Sequence, residues 1–262
     1  MTINFHDQGN KHSYTNRRAD GSWLALMRNT VNTAHINHAA DIGCGGGIYS
    51  KALADLRIKS VTGVDFSKAM IDGARLNCRN YEQLNFQLGN ANKTGLPSGK
   101  FDLILERALI HHLHDLKSCF NEAYRLLNDG GTFVVQDRTP KDCLLQGSST
   151  HIRGYIFSKF PHLAELEIKR RHEGEVVKNN LQSAGFSNME EMKLWETRRI
   201  YSSKRELLAD IRSRNGRSIL HELTNYELEE LITFIDDKLD EKEIVEKDRW
   251  TVWKATKEHS GE

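Results

Sequence analysis

Several residue patterns that would assign this chain to a particular class are missing from its sequence. The four cysteines are scattered, with no C-x-x-C pair and no histidine at ligand spacing, so we expect reduced thiols, no metal site and a cytoplasmic protein. No apolar run approaches membrane-spanning length, and the first residues show no basic-then-apolar signal pattern. Lysine plus arginine (37) nearly equals aspartate plus glutamate (36). The overall charge therefore attracts the chain neither to nucleic acid nor to a membrane.

A glycine-rich loop between two apolar runs is the feature around which the rest of the chain is organised. Asp41 precedes it, an amphipathic helix pattern follows it, and glycines occupy alternate positions, Gly43, Gly45 and Gly47. Glycine is needed where a strand turns sharply into a helix, because positive φ and close backbone approach both exclude a Cβ. A second apolar run, residues 61–64, ends at Asp65. A carboxylate at that strand tip can accept both hydroxyls of a ribose, which indicates a site for an adenosine-containing ligand.

Two common nucleotide fingerprints do not fit this loop. In the dinucleotide pattern G-x-G-x-x-G the third glycine would fall on Ile48, and the Gly-Lys-Ser/Thr of a P-loop is absent. The loop instead reads D-x-G-x-G-x-G and is followed by G-V-D-x-S. In these motifs, and in F-D-L-I with L-x-H-H-L over residues 101–113, the chain resembles the class I S-adenosylmethionine-dependent methyltransferases. The resemblance implies S-adenosyl-L-methionine as cofactor.

The fold expected is α/β. Strand and helix patterns alternate between residues 39 and 137, which is typical of a parallel doubly wound sheet. Strands are expected to end near Asp41, Val64, Leu88, Leu105 and Asp137, with the last two strands at residues 189–197 and 249–254. The resemblance implies a seven-stranded sheet, mostly parallel, with one antiparallel edge strand.

Three segments are predicted from these patterns. Residues 1–38 form an N-terminal helical cover, residues 39–197 and 248–262 form the S-adenosylmethionine-binding domain, and residues 198–247 form a helical insertion. The insertion contains two capping boxes and one apolar helix face, Leu228, Leu231, Ile232, Ile235 and Leu239. That face must be buried, and the pocket rim is the nearest expected surface, so we predict a lid. The alternative is a static helical decoration that only lengthens the edge of the sheet. Its arginines, Arg205, Arg212, Arg214 and Arg217, would meet an acidic group on the methyl acceptor.

The family resemblance also assigns cofactor-binding residues. Tyr14, Arg17 and Arg18 resemble a segment that folds over the cofactor or the substrate carboxylate, although a solvated polar lead-in is the alternative. The glycine-loop positions are Asp41, Gly43, Cys44 and Gly45. Asp65 would hold the ribose. Phe66 and Met70 would wall the adenine, since cofactor pockets are mostly apolar, or alternatively fill the core. Residues 89–91 read Gly-Asn-Ala where the family commonly has Gly-Asp-Ala, so Asn90, beside Ala91, stands in place of the acid. Its amide oxygen would accept from the adenine amine, or its NH₂ would donate to a ring nitrogen. Glu106 and Arg107 would lie near the methionine half.

His111 and Asp137 are the candidate catalytic residues. Methyl transfer from a sulfonium needs mainly alignment and a water-poor pocket, but an alcohol or protonated amine acceptor also needs a base. His111 can serve as that base, and Asp137, at the end of strand five, can belong to the acceptor pocket. Alternatively, the paired histidines pack against strand four or bond a backbone carbonyl.

The acceptor is expected to be a small molecule methylated at O, N or C. The only prolines are Pro97, Pro140 and Pro161, and none lies in an Asn/Asp-Pro-Pro-aromatic motif or precedes cysteine. This argues against methylation of exocyclic amines and ring carbons of nucleic-acid bases, and leaves an RNA ribose or ring nitrogen open. A basic stretch at 198–217, net +5, keeps an RNA methyltransferase as an alternative. Residues 222–247, net −7, could simply complement it. A non-catalytic cofactor-binding partner protein is the other alternative, and the oligomeric state is not determined.

Overall fold

The computed structural model describes residues 18–258, which divide into two compact units. The first, here the sheet unit, comprises the described residues up to Asp137, Gly174–Leu194 and the chain from Thr251 onward. The second, here the insertion unit, comprises Arg138–Glu173 and Trp195–Trp250. Each has its own cluster of buried apolar side chains.

One sheet of seven strands runs through the fold in the order β3-β2-β1-β4-β5-β7-β6. The strands are β1 His38–Ile42, β2 Ser60–Asp65, β3 Leu84–Leu88, β4 Phe101–Arg107, β5 Leu127–Asp137, β6 Ser187–Tyr201 and β7 Ile244–Thr256. The pairs among β1 to β5 are parallel, and β7 pairs antiparallel with β5. The predicted fold class is therefore confirmed.

Ten α-helices connect these strands in the part of the chain that the structure describes. They are α1 Gly21–Thr30, α2 Ile48–Asp55, α3 Lys68–Asn77, α4 Leu116–Leu126, α5 Pro140–Cys143, α6 Arg153–Lys159, α7 His162–Lys169, α8 Gly174–Ser183, α9 Lys204–Ser213 and α10 Asn225–Asp236. Side chains cap several of these helices, since Asp20 accepts from the N–H of Ser22, and Ser67 accepts from the N–H of Met70. Thr224 and Glu227 form a complete capping box. Among the described helices, none is long and apolar enough to cross a membrane.

Parallel pairing brings the carboxyl ends of the central strands to one edge of the sheet. Ile42 is in register with Val64 of β2 and Glu106 of β4, and Glu106 is in register with Val135 of β5. Leu103 to Leu105 of β4 are fully buried, as expected for a strand covered on both faces. The residues that follow these strands are thereby held beside each other.

Strands β5, β6 and β7 are longer than predicted. A glycine pair commonly ends a helix, but Gly130-Gly131 lies inside β5, because α4 ends at Leu126 and β5 begins at once with Leu127. Leu127 is fully buried and pairs with Phe101, so tertiary pairing extends the strand upstream of the glycines. Strand β6 likewise reaches Tyr201, and β7 begins at Ile244.

The insertion unit differs in extent from the predicted insertion. Residues 138–173, which the prediction assigned to the cofactor-binding domain, share one core with α9 and α10. The apolar face of α10 is buried in that core with Ile156 and Leu163. The argument that this face needs the pocket rim is therefore wrong, because the unit supplies its own covering helices. The lid role itself stays a prediction.

The basic and acidic stretches of the insertion do complement each other. Arg212 donates two hydrogen bonds to Glu229, at 2.7 and 2.8 Å. Arg214 donates to Asn225 and to the carbonyl of Leu223, and Arg217 donates to Glu246 at 2.7 Å. These arginines are bonded within the unit, which weakens the reason for assigning them to an acidic acceptor.

Candidate active site

The glycine loop has the backbone conformation that its spacing predicts. Gly43, Gly45 and Gly47 have φ of 75, 51 and 79°, and Gly47 precedes the first residue of α2. The N–H groups of Gly43 and Cys44 both donate to the carbonyl of Val64. A Cβ at Gly43 would come within 2.9 Å of Leu109, whereas a Cβ at Gly45 would meet nothing within 4 Å. The loop therefore packs on one side and borders open space at Gly45.

Asp65 ties the loop to the end of β2. Its side chain is buried, and its Oδ2 accepts from the N–H of Gly45 at 2.9 Å while Oδ1 accepts from the N–H of Ser67 at 2.9 Å. A carboxylate oxygen can accept more than one hydrogen bond. Asp65 can thus hold the loop and still accept hydroxyl groups of a ligand.

Asp41 lies beneath the loop. It is 2% exposed and accepts a 2.6 Å hydrogen bond from the hydroxyl of Ser50 on α2. Burial, assisted by the nearby charge of Asp65, raises the pKa of Asp41 to about 6, although the Ser50 hydrogen bond opposes the shift. Its observed contact fixes α2 against β1.

The predicted adenine-side residues fall into two groups. Phe66 is 51% exposed directly after Asp65, as the wall of an open pocket would be, whereas Met70 is buried within α3. Asn90 is exposed, and its Oδ1 accepts from the N–H of Asn92 at 2.9 Å. Ala91 is partly buried against the sheet-unit core. Phe66 and Asn90 therefore present the accessible surface of this group.

The side chain of Glu106 contacts α4, whereas the sequence predicts it near the methionine half of the cofactor. The residue is 1% exposed, its Oε1 accepts from the thiol of Cys119 on α4 at 3.2 Å, and its Oε2 has no hydrogen bond in the part of the chain that the structure describes. Burial raises the pKa of Glu106 to about 8. The side chain therefore lies against α4, because successive strand residues point to opposite faces of the sheet.

Arg107 points to the opposite side from Glu106. Its guanidinium carbon lies 3.9 Å from the ring centroid of Tyr49 on α2, and Tyr49 packs edge-on against the buried Trp23 of α1. The resemblance did not identify Tyr49 or Trp23 as neighbours of Arg107. The only signal in the sequence is the position of Tyr49 in the first turn of α2, directly after the glycine loop. Of the N-terminal candidates, Arg18 is exposed, while Tyr14 and Arg17 lie outside the described residues.

The two candidate catalytic residues form a hydrogen-bonded pair. His111 lies in a short 3₁₀ turn after β4, and Asp137 ends β5. The Nδ1 atom of His111 lies 2.8 and 3.1 Å from the carboxylate oxygens of Asp137, and the His111 backbone N–H donates to the same carboxylate at 3.2 Å. Asp137 is 1% exposed. With the proton on Nδ1, this carboxylate orients the ring and leaves the lone pair on Nε2.

A strained residue supports this pair. Ala108 has a φ of 52°, and its N–H donates to the carbonyl of Gln136, the residue before Asp137. A left-handed non-glycine residue costs of order 1–3 kcal/mol and persists only where its surroundings enforce it. Sequence patterns contain no signal for it, because alanine is not a left-handed residue by preference.

The residues present fit an adenosine-containing cofactor. A glycine loop with open space at Gly45, an anchored carboxylate at the neighbouring strand end and an exposed aromatic ring next to it form one edge of the sheet unit. These groups match a ribose and a flat base. The absence of a metal site stays a prediction. Among the described residues, no group of three or more histidine, cysteine, aspartate or glutamate side chains could hold a metal ion.

Known proteins resemble this chain in sequence. A family profile described as "Methyltransferase domain" matches residues 40–135. A ubiquinone biosynthesis O-methyltransferase of Nitrosococcus oceani is 31% identical over 171 residues, which are 60% of this chain and 70% of that protein. The uncharacterized methyltransferase YcgJ of Bacillus subtilis is 30% identical over 137 residues. That match covers 51% of this chain and 54% of the Bacillus protein, so this chain spans about half the length of that relative.

Solved structures share the fold. The structure of the Bacillus protein superposes with a TM-score of 0.58 over 90% of this chain and 98% of its own, at 17% identity. Phosphoethanolamine N-methyltransferase 2 of Haemonchus contortus, in complex with S-adenosyl-L-methionine, gives a TM-score of 0.58 at 18% identity, covering 98% of this chain and 61% of that chain.

Proposed function

The chain belongs to the class I S-adenosylmethionine-dependent methyltransferases, and we propose that it methylates a small molecule at an oxygen or nitrogen that must lose a proton. The observation that carries this proposal is the hydrogen-bonded pair of His111 and Asp137, at the ends of the strands beside the glycine loop. A carbon acceptor, an RNA acceptor and a non-catalytic binding role remain outcomes of the test below.

The cofactor, when bound, supplies a sulfonium-activated methyl group and leaves as the neutral thioether S-adenosylhomocysteine. Asp65 and the loop at Gly45 are proposed to hold its ribose and amino-acid ends, with Phe66 covering the base. Because the leaving group is already good, the protein's tasks are alignment and exclusion of water.

His111 is proposed to take the acceptor proton at Nε2 while the acceptor's lone pair forms its new bond to carbon. Asp137 holds the ring through Nδ1 and stabilises the imidazolium that results, because the carboxylate is buried and close. His112, whose ring centroid lies 3.9 Å from that of His111, restricts the ring from the side.

The RNA alternative loses its main support from the insertion. The basic stretch is paired with acids of the same unit, including Arg212 with Glu229 and Arg217 with Glu246. A nucleic-acid footprint needs cations available to phosphates. A small-molecule acceptor is therefore favoured over RNA. Because these arginines already pair with acids of the insertion unit, they do not support the prediction that the acceptor carries an acidic group.

The test is S-adenosylhomocysteine formation by the purified protein with a metabolite extract, with mass-spectrometric identification of the methylated product. Once an acceptor is found, the log of kcat is expected to rise with pH to a plateau, because only unprotonated His111 accepts a proton. His111→Gln should lower kcat by about 10²–10⁴-fold and flatten that limb.

His114→Gln, at an exposed histidine with no role in the proposed mechanism, is the matched control and should keep the pH limb. A His111→Gln protein with the parental rate and profile would contradict the base, and turnover confined to added RNA would contradict the small-molecule acceptor. Cofactor binding without turnover on either would favour a non-catalytic role.

A further inference from the structure

The two edge strands of the seven-stranded sheet differ in length. In the part of the chain that the structure describes, β3 and β6 lie at the two ends of the strand order. Strand β3 has five residues, whereas β6 has fifteen. An edge strand presents backbone N–H and C=O groups that can pair with another strand, and proteins commonly shorten such strands or interrupt them with proline or a bulge. Residues 187–201 contain neither proline nor glycine, so the sequence does not interrupt this long edge.

The middle of β6, residues 189–195 and here the edge segment, has a regular alternation of side chains. Asn188 has a left-handed φ of 47°, so the segment begins after it. Because successive strand residues point to opposite faces, one face carries Met189, Glu191, Lys193 and Trp195. The Nζ atom of Lys193 donates to Glu191 at 2.9 Å, as this placement requires. Met189 and Trp195 are 37% and 42% exposed, so this face combines two opposite charges with two accessible apolar side chains.

The order of these side chains is complementary to itself. When two copies of a strand pair antiparallel about a twofold axis perpendicular to the sheet, residues at equal distances before and after the axis oppose each other on one face. With Met192 on the axis, Glu191 of each copy opposes Lys193 of the other, and Met189 opposes Trp195. Each pair occurs twice. Opposite-charge pairs and pairs of an aromatic with an apolar side chain both stabilise neighbouring strands.

The neighbouring registers are unfavourable. With Glu191 on the axis, the two copies of that glutamate would oppose each other, and with Lys193 on the axis the two lysines would do so. Like charges directly opposite each other destabilise a strand pair. Within each chain Glu191 and Lys193 already contact each other, so the register centred on Met192 adds a second opposite charge to each. The charges of the edge segment therefore select this register.

The other face of the edge segment has no like-charge pair in this register. Met192 opposes its own copy, and Glu190 opposes Leu194. The carboxylate of Glu190 is already neutralised within the chain, because Lys254 of β7 lies 2.8 Å from it. Both faces of the segment are therefore compatible with the pairing.

We propose that β6 pairs with β6 of a second copy of this chain, antiparallel and with Met192 on the twofold axis. The partner is a second copy because the charges of the segment complement the same segment read in the opposite direction. A single strand pair buries less surface than most stable interfaces, so the dimer is expected to be weak and to depend on protein concentration. The pairing does not involve His111 or Asp137, which follow β4 and end β5.

Sedimentation velocity of the full chain, over a roughly hundredfold range of protein concentration, tests the association. The weight-average mass should rise towards that of a dimer as the concentration increases. A monomer at every concentration would overturn the proposal. Growth into open-ended oligomers would also overturn it, because two edges paired about a twofold axis form a closed dimer.

Charge reversal tests the register. In Lys193→Glu, and separately in Glu191→Lys, both charged pairs become like-charge pairs, and each variant should dimerise about tenfold more weakly than the parent. An equimolar mixture of the two variants should associate as the parent does, because every charged pair across the interface again joins opposite charges. A mixture that associates no more strongly than its components would overturn the register.

The matched control for charge reversal is Lys68→Glu. Lys68 lies on α3, which connects β2 to β3 at the opposite end of the strand order, and its side chain is exposed. This variant should dimerise as the parent does. Equal weakening in Lys68→Glu and Lys193→Glu would attribute the effect to net charge and contradict the pairing of Glu191 with Lys193.

A cysteine on the twofold axis tests the position of the contact. Met192→Cys should form a disulfide-linked dimer under mild oxidation, because opposed residues of an antiparallel pair have Cα atoms about 4.5–5.5 Å apart, within the span of a disulfide. Met189→Cys should not, since its two copies oppose Trp195 rather than each other, and the four native cysteines are buried. Equal cross-linking of the two variants, or none in a protein that still dimerises, would overturn the proposed contact.

Discussion

Two buried carboxylates of the sheet unit contrast with two buried carboxylates of the insertion unit. In the sheet unit, Asp41 and Glu106 are buried without a salt bridge among the described residues, and burial raises their pKa values to about 6 and about 8. In the insertion unit, burial would also raise the pKa of Glu167, but Arg153 and Arg171 outweigh it and lower that pKa to about 2. Asp248 likewise has a pKa well below its usual range, because Arg138 and Arg153 outweigh its burial.

The presence or absence of an arginine beside a buried carboxylate indicates whether that carboxylate stabilises the packing of its unit. Paired buried charges define a unique packing but become costly when one partner is removed. Unpaired buried acids near a ligand edge cost stability when they ionise, a cost typical of functional sites. The insertion unit therefore depends on its charges for its structure, whereas the sheet unit retains carboxylates that are not used for pairing.

The largest effect is expected on breaking a buried pair. Arg217→Met leaves Glu246, which is 2% exposed, without its 2.7 Å partner. Removing one member of a buried pair costs about 3–5 kcal/mol. Urea denaturation followed by circular dichroism should show a loss of that size in the free energy of unfolding.

The control for this variant is Arg212→Met. Both members of the Arg212–Glu229 pair are about half exposed, and such pairs contribute roughly 0–1 kcal/mol. Equal losses for the two variants would contradict the distinction between buried and exposed pairs in this unit.

A smaller effect, of opposite sign, is expected at Glu106. Its pKa is raised from 4.5 to about 8 on folding, so the folded state binds the proton more tightly than the unfolded state. Stability from this group is fully present below pH 4.5, is lost as pH rises towards 8, and is constant above that. Glu106→Gln should therefore stabilise the protein at pH 9, by roughly 2 kcal/mol after allowance for the unpaired amide.

Thermal unfolding of Glu106→Gln across pH 4 to 9 checks this expectation. The exposed Glu190→Gln should keep the parental pH dependence. If Glu106→Gln loses stability at pH 9, the buried acid is not a net cost there.

The smallest effect concerns the ligand-facing carboxylate. Asp65→Ala removes a proposed acceptor of ribose hydroxyls and should weaken S-adenosylmethionine binding at least about tenfold, measured by calorimetry. Asp72→Ala, on the exposed side of α3 where Asp72 pairs with Lys68, should bind normally. Unchanged affinity in a folded Asp65→Ala protein would remove Asp65 from the cofactor site.

Much of the site could be predicted from sequence because its parts are local. The glycines at 43, 45 and 47 all have positive φ, and the capping box of Thr224 and Glu227 forms as its spacing predicts. Other parts could not be predicted. The direction of Glu106 towards Cys119 and the position of Tyr49 under Arg107 depend on which helix covers each face of β4. Local patterns do not contain that information.

The sequence by itself determined the glycine loop, the carboxyl ends of β1 to β5 and the family, because these depend on backbone sterics and on motifs a few residues long. Tertiary structure alone decided that His111 meets Asp137, since parallel pairing of β4 with β5 brings the two residues together. It also decided that residues 138–173 share a core with α9 and α10. An apolar helix face specifies only that it must be buried, and the partner is chosen by long-range packing.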